Sequence, residues 1–129
     1  MKKTTVVLSI LASLAFTGCS EGSKKADHQN SPEAVAETIF KAAKTGDYEA
    51  LPAIVDKDAD SDSKRIAAVA SDPAAQAEFK KYFEKGKLNG EPMIEGDKAS
   101  VKILFGPEGD REETFEMVKR DGHWYLKSF

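Results

Sequence analysis

Residues 96–129 read "GDKASVKILFGPEGDREETFEMVKRDGHWYLKSF". Ala99, Val101, Ile103 and Phe105 alternate with Lys98, Ser100, Lys102 and Leu104, the period of two expected of a strand with one buried face. "GPEGD" then turns the chain, and Glu112 to Arg120 supplies a second run. Asp121-Gly122 is a strong two-residue hairpin signal, and His123 to Phe129 supplies a third run. Just upstream, residues 88–95 can form one more strand, which Pro92 confines to an edge or a bulge. The expectation is an antiparallel meander of about four strands.

Toward the N-terminus the period becomes helical. "SDPAAQAEFKKYFEKG" carries Asp72 as a cap, Pro73 at the first helical position, Phe79, Tyr82 and Phe83 on one face, and Gly86 as a stop. "SPEAVAETIFKAAKTGD" uses the same grammar: Ser31 caps, Pro32 opens, Glu33 and Glu37 lie toward the positive end of the helix dipole, Lys41 and Lys44 toward the negative end, and Gly46 stops it. Val35, Ile39 and Ala43, with Phe40 beside them, give this helix one apolar face. Asp47 can cap a short helix through Leu51 and Ile54, and "SKRIAAVAS" makes another short helical piece. Helices first and hairpin-linked strands afterwards argue for an α+β domain over residues 31–129, with the N-terminal helices packed on one face of the sheet.

Between these helices, Asp56, Asp58, Asp60 and Asp62 imitate the alternating oxygens of a calcium-binding loop. An EF-hand loop also needs Gly at its sixth position and a bidentate Glu at its twelfth, and Ser61 and Ala67 stand there. Segment 56–63 therefore reads as a solvated acidic loop with weak cation binding at most, and no cofactor or metal centre is expected.

Residues 1–30 have a different character. Met1-Lys2-Lys3 followed by an apolar run from Val6 to Phe16 suits the core of a signal peptide and falls short of the roughly 20 residues that span a bilayer. Two cleavages fit. Ser13-Leu14-Ala15 offers an ordinary site after Ala15, which would leave Cys19 as a thiol in a soluble exported protein. "FTGC" at 16–19 resembles instead the lipobox of bacterial lipoproteins, which implies removal of residues 1–18, a diacylglycerol thioether on Cys19 and acylation of its amine. Cys19 is the sole cysteine, and lipidation accounts for an unpaired thiol in an oxidising compartment. The three implied chains would hold the protein essentially permanently, since each buried methylene contributes about 0.8 kcal/mol. Ser20 stands where proteobacterial sorting reads an Asp as an inner-membrane retention signal, so the resemblance implies the periplasmic face of the outer membrane. Residues 19–30, "CSEGSKKADHQN", then form a flexible tether without an aliphatic side chain larger than Ala26.

The chain carries a formal charge of −3, more negative once Lys2 and Lys3 are lost, and no basic cluster. Nucleic acid is therefore not an expected partner.

"SPEAVAETIFKAAKTGDYEAL", "GDKASVKILF" and "EETFEMVKRDGHWYLKSF" together resemble small bacterial lipoproteins carrying a domain of unknown function in the nuclear transport factor 2-like, cystatin-like superfamily. The resemblance covers most of residues 31–129 and implies a curved sheet wrapped around a helix as a cone, with a pocket at its open end. Cyclase- and isomerase-like enzymes of that superfamily place an Asp, His or Tyr inside the cone. This chain offers no convergent titratable set: His123 follows a turn, Tyr48, Tyr82 and Tyr125 suit core edges, and an alkylated Cys19 is no nucleophile. The expected function is thus non-catalytic, with two forms open. The cone can hold a small apolar ligand or peptide, with Phe40, Phe79, Phe83, Phe115 and Trp124 as the large side chains available to line it. Alternatively, the domain docks an envelope protein or a second copy of itself as a homodimer through an exposed sheet face or edge. Whether Trp124 and Phe129 face a cavity or an outer apolar patch separates the two.

Overall fold

The computed structural model describes residues 28–129. The leader 1–18, the lipidation site Cys19 and residues 20–27 of the tether lie outside the described residues. Among the described residues, His28 already touches the domain, its Nδ1 lying 3.1 Å from Thr38 Oγ1. Gln29 follows at once, accepting from the Trp124 N–H at 3.0 Å and donating from its own amide to Ala53 O and Trp124 O. The last residues read as tether are thus docked against the sheet.

Helix α1 (Pro32–Thr45) starts and stops where its sequence says. Ser31 accepts from the Ala34 N–H, Pro32 sits in the first turn, and Gly46 takes the left-handed conformation at φ 80°. Its buried face, Val35, Ile39, Phe40 and Ala43, lies against β3 and β5, and each large apolar side chain there contributes about 1.5–3 kcal/mol by leaving water. Helix α2 (Leu51–Ile54) is a single turn that buries Leu51 and Ile54. Helix α3 (Ser61–Ala68) is capped by Asp60, which accepts from the Ser63 N–H, and runs into a 3₁₀ turn at Val69–Ser71. Helix α4 (Pro73–Phe83) is capped by Asp72 and buries Phe79 and Phe83.

Gly86 does not stop α4 in the way its position suggests. The helix ends at Phe83 with Glu84 still right-handed, and Gly86 is not among the residues at positive φ. A Cβ at Gly86 would lie 2.4 Å from two atoms of the Phe40 ring. The residue is small so that the chain leaving α4 can pass over Phe40.

Five strands form one antiparallel sheet: β1 (Lys87–Leu88), β2 (Met93–Glu95), β3 (Lys98–Phe105), β4 (Arg111–Arg120) and β5 (His123–Ser128). The order is β1-β3-β4-β5, with β2 also on the β1 edge of β3. The strand expected over 88–95 is therefore two short strands. Gly90, at φ 100°, and Pro92, which has no N–H to give a ladder, interrupt it. The β4–β5 turn keeps Asp121 at φ 52° and Gly122 at φ 83°, the two positive values a type I′ hairpin needs. A bulge shifts the β4–β5 register beside Met117, so that Glu116 pairs with Ser128 and Met117 with Leu126.

Ala99, Val101 and Ile103 of β3, Phe115 and Met117 of β4, and Trp124 and Leu126 of β5 form the inner face, all buried beneath the helices. Fold class is α+β, helices on one face of an open antiparallel sheet. The acidic segment is not solvated throughout. It runs along the outer edge of β5, with the Asp56 N–H donating to Leu126 O at 2.8 Å and the Asp60 N–H to Lys127 O at 3.0 Å.

Candidate functional site

Helical spacing puts Phe79 and Phe83 one turn apart on α4, and their ring centroids lie 5.0 Å from each other. The inward alternation of β3 ends at Phe105, 5.4 Å from Phe83. After β5, Phe129 stands edge-on to Phe83 at 5.9 Å and to Phe115 at 5.2 Å. These rings sit where the helical layer stops short of the sheet. They floor a groove of about 520 Å³, closed on its helical side by Ile66 and Val69. Offset and edge-to-face aromatic contacts of this kind add about 0.5–1.5 kcal/mol per pair beyond burial, so the floor is held in place by its own packing.

The mouth is polar. Asp62, Arg65, Asp72 and Glu78 line it, Arg65 reaching Asp62 at 3.4 Å along α3. Asp72 also accepts from the Ala74 and Ala75 N–H groups. Tyr82 lines the groove too, and Lys81 and Arg111 lie over its ring at 5.7 and 5.8 Å.

The five side chains expected to line a cavity are separated by the structure. Phe79 and Phe83 line the groove. Phe40 lines a second depression, of about 420 Å³, between α1 and β1. Phe115 is fully buried, and Trp124 is buried beneath Lys119, whose ammonium lies 5.8 Å from the ring centroid; both belong to the packed core rather than to either opening. Of the two discriminating residues, Phe129 faces the groove and Trp124 the dry interior. Phe105 was legible as the last inward residue of its strand. Ile66 and Val69 carried no comparable signal, because neither belongs to a long periodic run.

Asp56 and Asp60 are carboxyls whose titration the fold displaces, and neither lines the groove. The Arg120 hydrogen bonds hold Asp56 below the usual carboxylate range against the opposing effect of burial, with the Asp58 N–H and the charges of Arg120 and Lys127 adding to them. For Asp60, burial works to raise the value, and the N–H groups of Ser63 and Phe129 outweigh it, leaving it lowered. Both groups are ionised at neutral pH and engaged in holding the chain. Among the described residues, no three His, Cys, Asp or Glu side chains come together to hold a metal, and no helix is long and apolar enough to cross a membrane.

Similar architectures occur among solved structures. A SEC-C motif containing protein from Rhodopseudomonas palustris aligns with a TM-score of 0.50 at 20% identity, covering 76% of each chain. A Campylobacter jejuni protein described as a nuclear transport factor 2-like transpeptidase aligns with a TM-score of 0.47 at 23% identity, over 76% of this chain and 97% of its own. A de novo designed nuclear transport factor 2 fold protein aligns with a TM-score of 0.46 at 19% identity, over 74% and 78%. No family model and no curated protein matches the chain. At these identities the likeness concerns fold alone, and the site is read from its own geometry.

Proposed function

We propose that this protein is a lipid-anchored bacterial envelope protein, fastened through Cys19 to the periplasmic face of the outer membrane, whose domain binds a small ligand or short peptide without catalysis or cofactor. The observation that carries the binding reading is the groove itself: an aromatic floor of Phe79, Phe83, Phe105 and Phe129, with Phe105 and Phe129 partly exposed, beneath a polar rim. Open concavities with an apolar floor and a few convergent polar groups are where small molecules bind.

Docking of a second protein through an apolar patch has less support. Among the described residues, Met93 and Ile94 are the large hydrophobic side chains left exposed, and their pairing with Ser100 and Ala99 points them to opposite faces of the edge strand, so they do not form one surface. The anchoring reading rests on the charged start and apolar run of residues 1–16, the "FTGC" motif and the single cysteine.

Native mass spectrometry of the protein extracted from its own membrane tests both parts. The expected species begins at Cys19, carries the mass of a diacylglyceryl and an acyl group, and releases a further small mass on activation. A start at Phe16 with a free thiol would refute anchoring. An apo domain at full occupancy, together with no retained compound after incubation with an envelope extract, would refute ligand binding.

A further inference from the structure

The charges at the mouth of the groove narrow the ligand further. Asp62, Asp72 and Glu78 place three carboxylates there against the single guanidinium of Arg65. Arg65 is committed to Asp62 at 3.4 Å, and the Asp72 carboxylate is partly engaged by the Ala74 and Ala75 N–H groups. Glu78, exposed on α4, has no partner among the described residues. Lys81 and Arg111 lie over the Tyr82 ring and neither lines the groove. The opening is thus net negative, and directly below it lies the aromatic floor. The carboxylates favour a ligand of positive charge.

Resting on the binding reading above, we propose that the groove selects a cationic amphiphile: a small molecule with an apolar body that settles on Phe79, Phe83, Phe105 and Phe129 and an ammonium group that stays at the mouth near Glu78, Asp72 and Asp62. The apolar body supplies affinity roughly in proportion to the area it buries, and the carboxylates supply discrimination by sign. Because the mouth is open to water, its field is screened by salt within a Debye length of about 8–10 Å, so the preference weakens as ionic strength rises while the apolar contribution does not.

Equilibrium dialysis separates the two contributions. The full chain, anchored in nanodiscs of zwitterionic lipid, is dialysed against hexyltrimethylammonium, hexanesulfonate and hexanol, with empty nanodiscs as the blank. The expected result is retention of the ammonium about tenfold tighter than the sulfonate, a difference of about 1.4 kcal/mol, with hexanol between them. Glu78→Gln, an exposed change, is expected to cut that preference about threefold, and added salt is expected to do the same. Equal retention of all three probes, or preference for the sulfonate, would overturn the charge selection while leaving the apolar groove in place. Retention of none above the blank would overturn this inference and the binding reading with it.

Discussion

Arg120, at the end of β4, holds the buried carboxylate of Asp56 across 64 positions of sequence, with Nε 2.5 Å from Oδ1 and Nη2 3.1 Å from Oδ2. Lys127 Nζ stands 3.8 Å from the same Oδ2, and Arg120 also reaches Asp58 at 3.6 Å. Two N–H···O contacts from one guanidinium to the two oxygens of one carboxylate make this a geometrically specific pair. It fastens the segment after α2 to the last hairpin.

Replacing Asp56 by Asn keeps the shape and removes the charge. The amide keeps one neutral oxygen to accept from Arg120 and puts an NH2 donor where the other oxygen accepted, so one hydrogen bond is lost, the second loses its charge assistance, and the variant is expected to unfold about 1.5–3 kcal/mol more easily. Urea unfolding followed by the fluorescence of Trp124, the single tryptophan, measures it.

Acid should remove the same stabilisation. Asp56 and Asp60 both titrate below their ordinary value of 3.8, so the folded chain gives up these protons more readily than the unfolded chain. Their contribution is therefore complete above the ordinary value and is lost as the pH falls through the lowered ones. Urea midpoints are expected to drop below roughly pH 4, with a shallower drop in Asp56→Asn. Identical acid limbs in the two proteins would contradict this assignment.

Gly86→Ala tests the passage over Phe40. The added methyl would meet the Phe40 ring at 2.4 Å, and that ring is itself packed against Phe83 and Phe115. A forced shift of packed aromatics costs about 1–3 kcal/mol, whereas the same change at a negative-φ position with open space around it would be neutral or favourable. Thermal unfolding distinguishes the two.

Phe129→Ala should alter the groove more than the fold. Phe129 is half-buried, so its loss is expected to cost about 2 kcal/mol, less than the 3–5 kcal/mol of a fully buried phenylalanine. It would also uncover Phe115, whose ring lies 5.2 Å away. A neutral fluorescent apolar probe such as Nile red is expected to bind more strongly to the variant; unchanged probe binding would mean that the floor collapses to fill the gap.

What was legible in the sequence was local. Ser31, Pro32 and Gly46 mark α1, Asp72 and Pro73 open α4, and Asp121-Gly122 sets the last hairpin, because each acts on backbone groups within a few residues of itself. What escaped was long-range. No pattern within "DKDADSDS" tells that Asp56 meets Arg120 or that Asp60 caps α3, so a segment that reads as a solvated loop is in fact partly buried. The division of 88–95 into β1 and β2 depends on how Pro92 and Gly90 meet the partner strand. The aromatic faces were found, but which rings would be sealed and which left open depends on where the helical layer ends, and no single helix encodes that.

The docking of Gln29 and of residues 55–60 along β5 has one more result. An uncovered strand edge offers unpaired amides to any neighbour, and copies fixed to one surface meet often. Here one margin of the sheet is occupied by the chain's own backbone, and the other is broken into two short pieces around a proline. Both arrangements deny a neighbouring molecule a long straight ladder to extend, so crowded copies are expected to remain separate rather than join into fibrils.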